Sequence, residues 1–97
     1  MPKYVILASW TDQGVKNVKD TVSRYHAAKQ VAESKGGKFE AFLWTIGPYD
    51  MVAVTEVPDD ETGAALNLAL AAGGNVRTLT MRAFSEDEMT GIIGQMG

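Results

Sequence analysis

Residues 38–57 read Lys38-Phe39-Glu40-Ala41-Phe42-Leu43-Trp44-Thr45-Ile46-Gly47-Pro48-Tyr49-Asp50-Met51-Val52-Ala53-Val54-Thr55-Glu56-Val57. Two runs rich in β-branched and aromatic residues flank Ile46-Gly47-Pro48-Tyr49, where glycine and proline punctuate the chain. This predicts a β-hairpin with strands at 38–45 and 50–57. Upstream, Tyr4 to Trp10 reads as a strand. Val15, Val18, Val22, Tyr25, Ala28 and Val31-Ala32 then recur at helical spacing until Gly36-Gly37 stops them. Downstream, Pro58-Asp59-Asp60-Glu61 opens an alanine- and leucine-rich helix with Asp59 as its N-cap. Gly73-Gly74-Asn75 closes it, and Val76 to Phe84 is a fourth strand. Ser85 and Glu88 form a capping box for a short, glycine-weakened terminal helix.

The order is therefore β-α-β-β-α-β plus a helix. That is an α+β, ferredoxin-like split βαβ arrangement, with four antiparallel strands and both main helices on one face. Ninety-seven residues make one domain, residues 1–97. Hydrophobic residues are 45% and charged residues 22%, the balance of a globular chain rather than a disordered one. The absence of cysteine excludes disulfides, thiolate metal sites and a cysteine nucleophile. The longest apolar run falls far short of the ~20 residues of a membrane helix. The N-terminus has no signal-peptide core, so a cytoplasmic location is expected.

Net charge is −3, unevenly spread. Residues 1–38 balance to +4 and residues 39–97 to −7. The basic part lacks an arginine cluster and interleaved aromatics, so no nucleic-acid partner is expected.

Strand alternation sorts the side chains into two sets. Val5, Leu7, Phe39, Ala41, Leu43, Val52, Val54, Leu79 and Met81 are small or branched, and are expected beneath the helices. The second set runs from Tyr4, Ile6, Ala8 and Trp10 through Glu40, Phe42, Trp44, Met51, Ala53 and Thr55 to Val76, Thr78, Thr80, Arg82 and Phe84. With no helix left to cover it, this second face would be an apolar patch larger than monomers tolerate. A second copy of the sheet is the simplest cover, giving a homodimer or higher homo-oligomer. On this assignment Trp44→Glu is expected to dissociate the dimer.

The chain resembles the GYD-domain family of small bacterial and archaeal proteins. The likeness rests on Tyr4-Val5, Trp10-Thr11-Asp12-Gln13-Gly14, Asn17-Val18-Lys19-Asp20 and Gly36-Gly37. Pro58-Asp59-Asp60, Asn75-Val76-Arg77-Thr78 and Arg82-Ala83-Phe84 continue it over nearly the whole chain. Here the namesake tripeptide reads Gly47-Pro48-Tyr49-Asp50, with a proline inserted. The resemblance implies a dimeric α+β barrel and no established reaction.

Trp10, Phe42 and Trp44 are candidates for the apolar wall of a site for a small aromatic or amphipathic molecule, or for a packed dimer core. Tyr49, Asp50 and Arg82 are the candidate polar anchors. Turn chemistry also accounts for Tyr49 and Asp50, and pairing with Glu40 for Arg82. Asp12 and Asn17 lie in a polar-dense strand-to-helix junction that could meet an anion. His26 reads as an edge residue rather than a base or haem ligand. Asp59, Asp60 and Glu61 read as helix capping, and Gly91, Gly94 and Gly97 follow no strand and form no nucleotide loop. No metal or cofactor is expected. A homodimeric small-molecule-binding barrel is the first functional expectation. Alternatives are a cofactor-independent monooxygenase or isomerase acting on a small aromatic substrate, with Asp50 or His26 as base, and a purely structural or regulatory assembly module.

Overall fold

The computed structural model describes all 97 residues, Met1–Gly97. Four strands form one antiparallel sheet: β1 (Lys3–Trp10), β2 (Lys38–Trp44), β3 (Met51–Glu56) and β4 (Val76–Ala83), in the order β2-β3-β1-β4. The helices are α1 (Asp12–Lys16), α2 (Thr21–Ser34), α3 (Asp60–Ala72) and α4 (Glu86–Gly94). This is the ferredoxin-like α+β arrangement. No helix is long and apolar enough to cross a membrane.

The expected first helix is broken. Asn17 leaves helical geometry (φ −102°, ψ 20°), and Val18–Asp20 forms a 3₁₀ turn before α2 begins. The Asn17 carbonyl exposed by the break accepts from Arg24 Nη1 at 2.7 Å. The break shifts the helical phase, so Val15 and Val22 point to solvent while Tyr25, Ala28 and Ala32 face the sheet. Gly36, at φ +81°, ends α2 in the left-handed region open to glycine. Both expected N-caps form. Asp59 accepts from the Thr62 N–H at 2.7 Å, and Ser85 and Glu88 bond reciprocally.

Those caps predict acid behaviour. The Thr62 hydrogen bonds hold the Asp59 carboxyl below its usual range, and the Ser85 N–H does the same for Glu88. A lowered folded-state value stabilises the fold above the ordinary carboxyl range. That contribution is lost as pH falls through the lowered value. The thermal midpoint should hold steady at neutral pH and fall below about pH 4. A midpoint independent of pH down to about 3 would show that the caps contribute nothing.

The two sheet faces are exchanged relative to the sequence expectation. Ile6, Ala8, Met51, Ala53 and Thr55 are buried beneath α2 and α3. Three cross-strand rows line this helix-covered face: Trp44–Met51–Ala8–Thr78, Phe42–Ala53–Ile6–Thr80 and Phe39–Thr55–Tyr4–Arg82. A β-bulge between Phe39 and Ala41 carries Phe39 to the side of Phe42 and Glu40 to the other side. The aromatics are there because α2 supplies Tyr25. Its ring meets Phe42 at 4.4 Å, Phe39 at 5.7 Å and Trp44 at 5.8 Å.

The bare face holds the aliphatic rows Leu43–Val52–Leu7–Leu79 and Ala41–Val54–Val5–Met81. Leu43 is 61% exposed, Leu79 50% and Met81 44%. The molecule is 52 × 31 × 18 Å, and the short axis spans only one sheet and one helix layer. Only nine of 97 residues are buried, few for a chain with 45% hydrophobic residues. Beyond the sheet, α4 keeps Met89, Ile93 and the following Met96 exposed.

Candidate functional site

The space between sheet and helices is not filled. The helix surfaces facing it mix small residues, Ala27, Ala28 and Ala32 on α2 and Gly63 and Ala69 on α3, with Val31, Leu66 and Leu70. Small side chains hold two layers apart only where something bulkier stands between them. Here the bulk is at the margins, in the Tyr25 aromatic cluster and in Tyr4. A Cβ on Gly63 would lie 2.7 Å from the Tyr4 ring. The middle is left as two apolar chambers of about 200 and 250 Å³. Ile6, Ala27, Ala28, Phe39, Ala69 and Leu70 line both, so the chambers adjoin.

The lower chamber, of about 200 Å³, lies beside Tyr4 near the start of β1, and the upper, of about 250 Å³, beside Trp10 at its end. In the lower chamber Asn67 Oδ1 accepts from Thr80 at 3.0 Å and from Thr78, which lines the upper chamber, at 3.1 Å. The Tyr4 hydroxyl donates to Asp60, and this bond raises the Tyr4 phenol above its usual value. The upper chamber is lined by Trp10, Thr21, Arg24, Tyr25, Phe42 and Met51 among others, and its polar groups are not all satisfied. Trp10 Nε1 and Arg24 Nη2 are buried and have no acceptor. Buried donors without partners are rare in folded proteins.

The expected site residues divide among three places. Trp10 and Phe42 meet in the upper chamber. Trp44 stands beside it, with its ring 4.9 Å from Phe42 and its indole N–H donating to Thr21 Oγ1 at 3.0 Å. Trp44→Glu would therefore damage the packing of α2 on β2 rather than a sheet–sheet interface. Tyr49 and Asp50 lie in the β2–β3 loop. The Asp50 N–H donates to Ala8 O and its carboxylate accepts from the Trp10 N–H at 2.9 Å, tying the loop to β1. Asp50→Ala leaves that N–H without its acceptor and should cost about 1–3 kcal/mol in chemical denaturation. Asp50→Asn keeps an acceptor oxygen and should cost less. Equal losses for the two variants would contradict this role.

Arg82 is at the far end of the sheet. It lies 3.7 Å from Asp60 and over the Phe84 ring at 4.7 Å. The expected Glu40–Arg82 pairing does not occur. Glu40 pairs with Lys3 at 3.0 Å on the bare face, which lowers the carboxyl and raises the ammonium from their usual values.

Asp12 and Asn17 flank a junction whose polarity is used structurally. The Thr11 N–H donates to Asn75 O, Thr11 Oγ1 to Gly74 O, and Gln13 Nε2 to both Gly73 O and Asn75 Oδ1. These bonds dock α1 on the α3–β4 loop. The five-residue α1 is too short to present an anion site of its own. His26 is exposed beside Tyr25. Arg24, which also lines the upper chamber, stands among sequence neighbours that read as a solvated helix face. Its spacing of seven from Asn17, across a helix break, is the one available signal.

Two comparisons with known proteins show what the chain as a whole is similar to. The model of the GYD domain matches residues 4–93. A curated protein of Thermus thermophilus, described as "Glutamine synthetase and cystathionine beta-lyase binding protein", is 34% identical over 84 residues. The alignment covers 86% of this chain and 88% of that protein.

Proposed function

The chain belongs to the GYD-domain family, and from that premise we propose that it is a homodimeric binding protein holding a small amphipathic molecule between its sheet and its helices. The observation that carries this reading is the pair of adjoining apolar chambers. A mostly apolar cleft between layers of secondary structure is the usual form of a small-molecule site. Neither chamber is lined by a carboxylate or a histidine. The walls thus offer no such base for oxygenase or isomerase chemistry, which favours holding over turnover.

Self-association is the second part of the proposal, and the two bare aliphatic rows support it. Eight apolar side chains on one flat face form a contiguous patch of the kind that marks an interaction surface. The sheet of a second copy presents the same rows, and a two-fold axis matches them to each other. Native mass spectrometry of the purified chain tests both parts. Twice the chain mass is expected, with a discrete further mass where a small molecule is retained. A particle of one bare chain across the micromolar range would refute the dimer.

The named relative favours one further reading, in which an enzyme rather than a small molecule is the principal partner. Co-elution with purified glutamine synthetase at micromolar concentration would support it. Separate elution, with ligand binding intact, would leave the small-molecule reading alone.

A further inference from the structure

The geometry points to α4 as an arm exchanged between subunits: in the face-to-face dimer it packs on the second copy of the chain, with the acids of its first turn against the partner's Arg77. This role rests on the self-association reading above and adds to it what the C-terminal end of each chain does.

α4 is a helix with little support of its own. None of its residues is buried, and only marginal contact joins it to any strand or other helix of its chain. Met89, Ile93 and Met96 are exposed and recur at steps of four and three, so they form one apolar flank. An isolated helix is marginal in water below about 12–15 residues. α4 has nine, and Gly91 in its interior weakens it further. The capping box at Ser85 and Glu88 secures its start but leaves the flank bare. A helix this short is held by tertiary packing of its apolar flank, and its own chain supplies almost none.

The connection and the charges say where the flank goes. α4 begins three residues beyond Ala83, the end of β4, which is an edge strand of the sheet. At that end the bare face is closed by the Lys3–Glu40 ion pair. At the opposite end stands Arg77, beside Ser9 in the register. Arg77 belongs to none of the ion pairs of its chain, which are Lys3–Glu40, Lys38–Glu56 and Arg82–Asp60. A two-fold axis lying in the interface and crossing the strands lays the Ala83 end of one β4 over the Arg77 end of the other. Each α4 then arrives at the partner's Arg77. Its first turn carries Glu86, Asp87 and Glu88, and the helix has no basic residue. Glu88 is engaged in the capping box, which leaves Glu86 and Asp87 for the partner's cation. The Met89–Ile93–Met96 flank has the margin of the partner's aliphatic rows to pack on. An axis along the strands would instead bring both Arg77 side chains to one end, and each α4 to the end already closed by an ion pair.

Hydrogen–deuterium exchange of the full-length chain, read on C-terminal peptides, tests the arm. The α4 amides should be protected at least about tenfold in the dimer and exchange freely in single chains, obtained by dilution or by Leu79→Glu. Charge reversal tests the contact. Arg77→Glu should weaken association by about tenfold or more, because it sets like charges together, and Glu86→Lys with Asp87→Lys should do the same. All three substitutions combined should recover most of the loss, which damage to the fold would not do. Free exchange of α4 in a confirmed dimer would overturn the arm and leave the dimer standing. Protection that persists in single chains would place α4 on its own chain and also overturn it. Failure of the combined variant to recover would overturn the placement at Arg77. A chain that stays single at every concentration would overturn both the arm and the dimer.

Discussion

Gly14→Ala should destabilise the chain by about 3 kcal/mol or more, at or beyond the top of the usual range for overpacking. Gly14 is buried where α1 meets the α3–β4 loop. A Cβ there would lie 2.0 Å from the Asn75 carbonyl oxygen, 2.9 Å from its carbon and 3.1 Å from Trp10 Cδ1. The nearest two atoms are backbone, so no rotamer change relieves the contact. Either α1 or the Gly73–Asn75 segment must move, and four hydrogen bonds join the two. Trp10, a wall of the upper chamber, moves with them. Gly91→Ala is the control, because that α4 position has nothing within 4 Å of a new Cβ. It should be neutral or stabilising by up to about 1 kcal/mol through helix propensity. Urea denaturation of the two variants reads the contrast. A cost below about 1 kcal/mol at Gly14 would mean that the α1–loop contact gives way easily.

Leu79→Glu should convert the proposed dimer to single chains of 10.4 kDa, weakening association by roughly 1000-fold, or about 4 kcal/mol. Leu79 stands on the edge strand β4 and is 50% exposed in the single chain, so a glutamate there stays hydrated and leaves the fold intact. In a face-to-face pairing the same carboxylate would be enclosed in the Leu43–Val52–Leu7 row, where Arg77, two residues along β4 on the same face, is the neighbouring cation and sits at the end of the apolar patch. Sedimentation across a concentration series, with circular dichroism to confirm folding, measures this. A folded variant that remains dimeric would place the interface elsewhere, and the exposed flank of α4 would then be the surface to alter. Trp44→Glu provides the complement, since it should lower the stability of each chain while leaving association through the bare face unchanged.

Much of the architecture was readable in the residues. Asp59, Ser85 and Glu88 marked their helix starts by cap chemistry, which acts over three or four residues and needs no tertiary information. Gly36 marked the end of α2 for the same local reason. The hairpin at 38–57, set between two helical segments, specified the ferredoxin-like order. The candidate site was legible only in part. Trp10 and Phe42 do line a cavity, but Arg24, its one unpaired cation, looked like any other helix-surface charge. Asp50 looked like a polar anchor, and its carboxylate is engaged with the backbone of Trp10.

By itself, then, the sequence determined the elements, their order, and the existence of two apolar sheet faces, because caps, turns and period-two alternation are short-range properties. It did not determine which face the helices cover. When both faces are apolar, alternation separates the two sets without ranking them, and a single bulge at Phe39–Ala41 moves two residues across. The choice fell to the helices. Tyr25 on α2 requires aromatic neighbours, and the alanines and glycine of α2 and α3 leave room above Ile6, Ala8 and Ala53. These are contacts between segments distant in the chain, and only the folded arrangement brings them together. The same arrangement leaves Leu43, Leu79 and Met81 in the open and buries one Arg24 nitrogen without an acceptor.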